Sequence, residues 1–240
     1  MINEYKIAKS AVLKAGKILL DYYSLDYNIS NKDSKKSDIY NPVTDADKAV
    51  DKYLRTKLTT AFPDYGWFSE ETKDSNERLK KERVWIVDPL DGTKEYINKI
   101  PMWVVSVALV ENKKPILGII YNPIKKQIFS AIKGEGSKLN NTTIFCTKNH
   151  EISKMTILNS ITETKDGLWI PFKNNFGKLE EVGSVAYKLG LVSSGKADLF
   201  ATLRPKNEWD ICAGHCIINE AGGKMLDLNG KKISYNNPKS

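Results

Sequence analysis

Histidine and cysteine are scarce in this 240-residue chain: there are two of the first, His150 and His215, and three of the second, Cys146, Cys212 and Cys216. Two imidazoles cannot build a His-rich metal centre, and three cysteines with no C-x-x-C spacing exclude a disulfide framework or a zinc ribbon. Cys212, His215 and Cys216 share one helical stretch and read as core residues, because no fourth ligand of matching spacing accompanies them. Long apolar runs are also missing. The first two dozen residues place Lys6, Lys9, Lys14 and Lys17 through their apolar pattern, so the reading is a cytoplasmic protein without a signal peptide or membrane span. Low-complexity tracts and internal repeats are absent, which excludes fibrous and solenoid architectures.

The composition is that of a globular protein: 41% hydrophobic, 28% charged, 15 Gly and 9 Pro. Lys plus Arg number 37 against 29 Asp plus Glu, a net charge of +8 that favours anionic partners. The excess lies in lysines of apparent turns, such as Lys80, Lys81, Lys125 and Lys126, interleaved with polar residues, which is also the pattern of a solvated surface.

Apolar spacing predicts helices over Tyr5 to Tyr23 and Asp45 to Ala61, separated by a polar loop from Ser30 to Tyr40. Thr44 to Asp47 has capping-box-like spacing. β-like runs follow at Trp67 to Ser69, Val84 to Val87, Val104 to Val110, Ile116 to Tyr121 and Gln127 to Ile132. Turn-length separators argue for an antiparallel meander. After a strand at Met155 to Leu158, the order predicted is a helix at Ser184 to Ser193, a strand at Asp198 to Thr202, a helix at Glu208 to Ala221 and a strand at Lys224 to Asp227. The expected organisation is one compact α/β (α+β) unit with two subregions, residues 1–145 and 146–240.

The strongest local feature is Val-Trp-Ile-Val-Asp-Pro-Leu-Asp-Gly-Thr-Lys-Glu-Tyr, residues 84–96. A buried-type strand is expected to end at Pro89, placing Asp88 at its tip, with Asp91, Gly92 and Thr93 turning into a helical turn at Lys94 to Ile97. Two carboxylates three residues apart around such a turn can converge on a hard cation, and the amides of Gly92, Thr93 and Lys94 can face a phosphate. Turn chemistry and helix capping explain the same residues without a ligand. Glu70 and Glu71 end another short strand, where two carboxylates repel unless a cation is near. Asp210 opens a helix behind Trp209; the helix dipole accounts for it, as does a position at a cleft. Asp47 reads either as part of a cap or as a proton acceptor for a hydroxyl on another loop.

Taken together, Asn-Pro-Val-Thr-Asp-Ala-Asp (41–47), Ser-Glu-Glu (69–71), the 85–96 segment, Glu-Trp-Asp-Ile-Cys-Ala-Gly (208–214) and Glu-Ala-Gly-Gly (220–223) resemble the inositol monophosphatase superfamily, in its order and over about residues 5–235. The resemblance implies a layered αβαβα sugar-phosphatase fold and magnesium-dependent hydrolysis of a phosphate monoester. Glu70, Asp88, the Leu90 carbonyl, Asp91 and Asp210 would bind two or three Mg²⁺ ions, all oxygen donors as that ion requires. Thr93, oriented by Asp47, would help position and deprotonate the attacking water, with Glu70 and Asp91 also in the catalytic set. Leu90, Asp91, Gly92, Thr93 and Asp210 would contact the substrate, its phosphate held by the Gly92 and Thr93 amides. Gly183 and Ser184 would line the leaving-group side.

The Lys-Glu-Tyr and Glu-Trp-Asp elements are similar to the bacterial 3'(2'),5'-bisphosphate nucleotidase branch, which implies adenosine 3',5'-bisphosphate as substrate and lithium sensitivity. Seven residues before Asp210, where inositol phosphatases carry a ring-contacting glutamate, stands Leu203, a departure that counts against inositol. Arg204 replaces a common glycine, the lysine of a Gly-Ser-Ser-Leu-Lys pattern falls at Lys188, and the stretch from Ser160 to Lys178 is short for the family. The expected partner is a small phosphorylated metabolite, and a homodimer is implied by resemblance alone. Other sugar phosphates, inositol phosphates included, are the alternative substrates. A different class, a non-catalytic nucleic-acid-binding module using the basic surface, finds no aromatic-basic motif, so no nucleic-acid polymer is expected.

Overall fold

A computed structural model describes residues 1–24, 29–31 and 42–238, with backbone alone for 29–31 and 42–44. The expected loop, from residue 32 onward, and the Thr44 side chain with its expected cap lie outside that description.

Helix α1 (Ile2–Tyr23) is followed by two short antiparallel strands, β1 (Ile29–Asn31) and β2 (Pro42–Thr44), then by α2 (Asp45–Ala61). Ala8, Val12, Ala15 and Leu19 of α1 and Ala46, Val50, Leu54 and Leu58 of α2 are fully buried, the apolar stripe that helical spacing produces. Next come β3 (Gly66–Ser69), β4 (Arg83–Asp91), a short helix α3 (Thr93–Ile97) and the hairpin-linked β5 (Val104–Glu111), β6 (Lys114–Asn122), β7 (Gln127–Ile132), β8 (Ser137–Leu139) and β9 (Thr142–Ile144). These strands form one seven-stranded sheet in sequence order. From β4 onward it is the expected antiparallel meander; β3 instead runs parallel to β4 at the edge.

The remainder is β10 (Thr156–Ser160), α4 (Ile161–Lys165), β11 (Lys178–Val182), α5 (Val185–Ser193), β12 (Leu199–Phe200) and α6 (Glu208–Glu220). Its three strands make a second, wholly parallel sheet in the order β11-β10-β12. Two expectations contract here. The strand at Asp198 to Thr202 is only Leu199–Phe200, and Lys224 to Asp227 forms no strand, only an isolated bridge from Leu226 to Lys232. Asp198 leaves the ladder because its backbone N and carboxylate are both taken up at Thr156.

Side chains alternate across β4: Trp85 and Val87 pack under α1 and α2, while Val84 and Ile86 face α5 and α6. Leu158 and Val182 of the small sheet join that second cluster, so α5 and α6 lie between the sheets. With α4 against β10 and β11 on the outside, the layers read α, β, α, β, α, the architecture expected from the resemblance. Among the described residues no helix is long and apolar enough to cross a membrane.

Candidate active site

Strand β4 does not stop at Pro89. It continues to Asp91 through a bulge: Asp88 pairs with Ser106 and Asp91 with Val104, three steps on one strand against two on the other. A bulge tolerates proline because the extra residue needs no ladder hydrogen bond. Leu90 N donates to Asp88 Oδ1 at 3.0 Å, and both Asp88 and Asp91 end up buried. Gly92 follows at φ 98°, where an added Cβ would press on the Met102 carbonyl and Trp103, so the turn demands glycine. Thr93 then opens α3, its hydroxyl donating to the Leu90 carbonyl at 3.1 Å.

Because β3 lies parallel to β4, Glu70 arrives at the same sheet end as Asp88, and its N–H donates to the Val87 carbonyl at 3.3 Å. Asp51 of α2 fixes this arrival, accepting hydrogen bonds from Ser69 Oγ and from Thr72 Oγ1, the latter at 2.6 Å. One turn earlier on α2, Asp47 is buried too. Asp210 sits in the first turn of α6 and accepts from Asn207 N at 2.9 Å. Its neighbour Trp209 meets Phe68 edge-on at 5.1 Å between ring centres, and the Arg78 guanidinium covers Phe68, which docks the start of α6 onto β3.

A fifth contribution comes from the turn into α5. Ser184 Oγ donates to Asp91 Oδ2 at 2.7 Å and accepts from Tyr187 N at 3.0 Å, while Ala186 N donates to the same Asp91 oxygen at 2.5 Å. Ser184 holds φ 57° and ψ 127°, a region that costs an L residue about 1–3 kcal/mol and persists only where surroundings enforce it. Gly183 packs directly against the Glu95 side chain, and Lys188 Nζ, buried, donates to the Val182 carbonyl at 2.7 Å.

Electrostatics register the crowding. Burial, then Glu70, Asp91, Asp210 and Asp47 in turn, push the Asp88 carboxyl well above the ordinary carboxylate range. Burial and Asp91 raise Asp210 to about 7. Burial raises Asp91 as well, against its bonds to Ala186 and Ser184 and the charge of Lys188. Lys188 is lowered to about 8 by burial, with Asp91 and Glu95 pulling the other way. Among the described residues, no three His, Cys, Asp or Glu side chains are set closely enough to hold a metal ion as they stand. The carboxylates lie within one another's electrostatic reach without closing on one centre. Their fit to a magnesium-like cation rests on donor chemistry: all oxygen, strongly negative, and sunk in a low-dielectric fold.

The candidate site residues thus fall in one neighbourhood: Asp47, Glu70, Asp91 and Asp210 within electrostatic reach of Asp88, Leu90, Gly92 and Thr93 beside them in the chain, and Gly183 and Ser184 against Glu95 and Asp91. Asp51 and Glu163 escaped sequence reading, and Glu95 was read only as part of the Lys-Glu-Tyr element. Asp51 carried a signal, standing one turn after Asp47 beside the apolar stripe of α2; Glu163 carried none, because its partners lie up to 40 residues away.

A model of the inositol monophosphatase family matches residues 3–240. The chain belongs to the inositol monophosphatase family. It is 32% identical over 240 residues to inositol monophosphatase 2 of Solanum lycopersicum, covering 95% of this chain and 88% of that one. With the 3'(2'),5'-bisphosphate nucleotidase CysQ of Salmonella typhimurium it shares 34% identity over 197 residues, 81% of this chain and 79% of the relative. The solved IMPase of Thermotoga maritima superposes with a TM-score of 0.85 at 27% identity, covering 98% and 89% of the two chains.

Proposed function

We propose that the protein is a magnesium-dependent phosphomonoesterase acting on the 3'-phosphate of adenosine 3',5'-bisphosphate. The observation that carries the reading is the gathering of Asp47, Glu70, Asp91 and Asp210, with Asp88, from four separate elements within electrostatic reach of the buried Asp88 carboxyl. A phosphate dianion cannot approach such an acidic cluster unless cations precede it. Glu70, Asp88, Asp91, Asp210 and the Leu90 carbonyl would hold two or three Mg²⁺ ions, which when bound neutralise phosphoryl charge and make water acidic enough to attack.

The chain's own groups do the rest. Thr93 Oγ1 donates to the Leu90 carbonyl and keeps lone pairs for the attacking water; as it accepts that water's proton it would turn its own hydrogen from the Leu90 carbonyl to Asp47, the carboxylate that ends with the proton. The Gly92 and Thr93 amides orient the phosphate for in-line displacement. Ser184 and Ala186 lock Asp91, so that carboxylate needs no reorganisation during the reaction. Water attacks phosphorus directly, without a phosphoenzyme.

For the alcohol that leaves, Leu203 presents no carboxylate to a polyol. Lys206 lies within electrostatic reach of Asp210, Glu163 and Lys188, and a second phosphate on the substrate would meet this positive side. The Salmonella relative's name agrees with a bisphosphate nucleotide. The names of the tomato and Thermotoga relatives favour a second reading, inositol monophosphate. Phosphate release from adenosine 3',5'-bisphosphate and inositol 1-phosphate, with Mg²⁺ and with EDTA, each with and without Li⁺, decides between them. We expect metal-dependent, lithium-inhibited release that prefers the nucleotide; the reverse preference overturns the substrate, and release in EDTA overturns the metal role.

A further inference from the structure

The parallel strands β10 and β11 end together at Ser160 and Val182, with β12 ending at Phe200 opposite Leu158, two residues short of them, and the carboxyl edge of such a sheet is where ligands bind. The turn leaving β11 is Gly183–Ser184, already seen against Glu95 and Asp91. The chain leaving β12 runs without regular structure from Ala201 to Asn207 and delivers Asp210 to the site. Only two residue pairs bind β12 to its neighbour, so this segment takes its position from elsewhere.

The anchor is Glu163, from the helix after β10, 1% exposed. Its Oε1 accepts from Thr202 Oγ1 at 2.5 Å; its Oε2 accepts from Leu203 N at 3.2 Å and from Trp169 Nε1 at 3.1 Å. Burial alone would push this carboxyl up, but the three donors outweigh it and hold it below the ordinary range. A carboxylate accepting three bonds has no rotational freedom, and one of the three is to the backbone of Leu203 itself. Outside this buried knot, Arg204 and Asp166 tie the same two segments by an exposed ion pair at 2.6 Å.

We propose that Glu163 is a positioning residue for substrate selectivity: it clamps the Thr202–Leu203 turn as the wall against which the leaving alcohol seats, and touches neither phosphate nor metal. The inference rests on the phosphomonoesterase reading in taking this wall as the leaving-group side. Selectivity then depends on Glu163 while chemistry at phosphorus does not.

The test separates the two products. Binding of adenosine 5'-monophosphate and of inorganic phosphate is measured by calorimetry in Mg²⁺ for the wild type, Glu163→Gln, Thr202→Val and Thr202→Ser, with thermal melts to establish folding. Kinetics on adenosine 3',5'-bisphosphate and p-nitrophenyl phosphate accompany it. The expected result for Glu163→Gln and Thr202→Val is nucleotide binding weakened on the order of tenfold, the size of one lost charge-assisted hydrogen bond, with phosphate binding and kcat on the aryl ester unchanged. Thr202→Ser, which keeps the hydroxyl, should restore wild-type values. Equal losses for both products, or no loss in a folded Glu163→Gln protein, overturn the clamp. A wild type that cleaves inositol 1-phosphate and not the nucleotide overturns only the substrate reading. The same variants, compared on inositol 1-phosphate and the aryl ester, then decide the clamp by whether KM rises selectively for the inositol ester.

Discussion

In the seven-stranded sheet, the acidic residues are placed by main chain: a bulge presents Asp88 and Asp91, a parallel edge strand brings Glu70, and the sheet behind them is apolar on both faces. In the three-stranded sheet, position is set by side chains bonding across long sequence gaps: Glu163 to Thr202, Asp198 to Thr156, Arg204 to Asp166. The contrast assigns different work to each. Backbone placement is stiff and suits chemistry that is the same for every phosphate ester. Side-chain placement changes with one substitution and suits the part of the pocket that distinguishes one alcohol from another.

Asp88→Asn breaks that comparison at its hardest point. Turnover should fall well beyond the roughly 10- to 100-fold that losing an outer-shell partner of a metal costs. The fold should survive, and melting in EDTA should be no lower than wild type, because a buried carboxyl repelled by four neighbouring carboxylates has been neutralised. Steady-state kinetics with Mg²⁺ beside calorimetric melts in EDTA check both halves. Retained turnover would remove Asp88 from the metal set.

Gly118→Ala tests the stiffness of the first region without touching the acidic residues. A methyl on Gly118 of β6 would run into the Ala213 carbonyl and Cys216 of α6, both immovable parts of the central layer. Overpacking of this kind typically costs about 1–3 kcal/mol, read as a lower urea midpoint with unchanged m. A neutral outcome would mean that α6 slides on the sheet, and Asp210 would then be less firmly placed than the contacts imply.

The same contrast explains what could be read from the chain. The continuous apolar run at Val84–Val87 and the helical spacing of Ala46, Val50, Leu54 and Leu58 are local patterns, and they place the large sheet, its covering helices and the acidic segments. The parallel course of β3 was not legible, since Trp67–Ser69 pairs equally well in either direction from its own residues. Nor was continuation through Pro89, because the bulge that permits it depends on how Asp88 and Asp91 register against Ser106 and Val104. In the small sheet, β11 reads Lys-Leu-Glu-Glu-Val with little apolar alternation, and Glu163 lies in Ile-Thr-Glu-Thr-Lys, where nothing local marks a buried carboxylate.

Ser184 joins the two regions, bonded to Asp91 on one side and capping α5 on the other. Ser184→Ala loses the cap, worth about 0.5–2 kcal/mol, and leaves the residue at a positive φ. Ser184→Gly loses the same bonds but tolerates that backbone, so it should melt above the alanine variant. Both should lower kcat on the order of tenfold through a less constrained Asp91, as for one lost charge-assisted bond. Equal melting of the two variants would show that the strain is not borne at this residue.

The smallest expected effect lies far from the chemistry. His215 Nδ1 and Tyr235 Oη are 2.8 Å apart, and burial holds this histidine's pKa below 6.5. As pH falls through 6.5 the unfolded chain takes up a proton that the folded chain refuses. Folding stability therefore declines toward acid, by no more than about 1.4 kcal/mol per pH unit from one group. Asp210, raised in the folded state, contributes the opposite slope in metal-free protein, losing stability as pH rises toward 7. Urea unfolding at pH 7.5 and pH 5.5, compared between wild type and His215→Gln, isolates the histidine by difference: the wild type should lose more stability on acidification. Parallel losses would mean that His215 keeps its proton equilibrium on folding, and that the core around Tyr235 admits water.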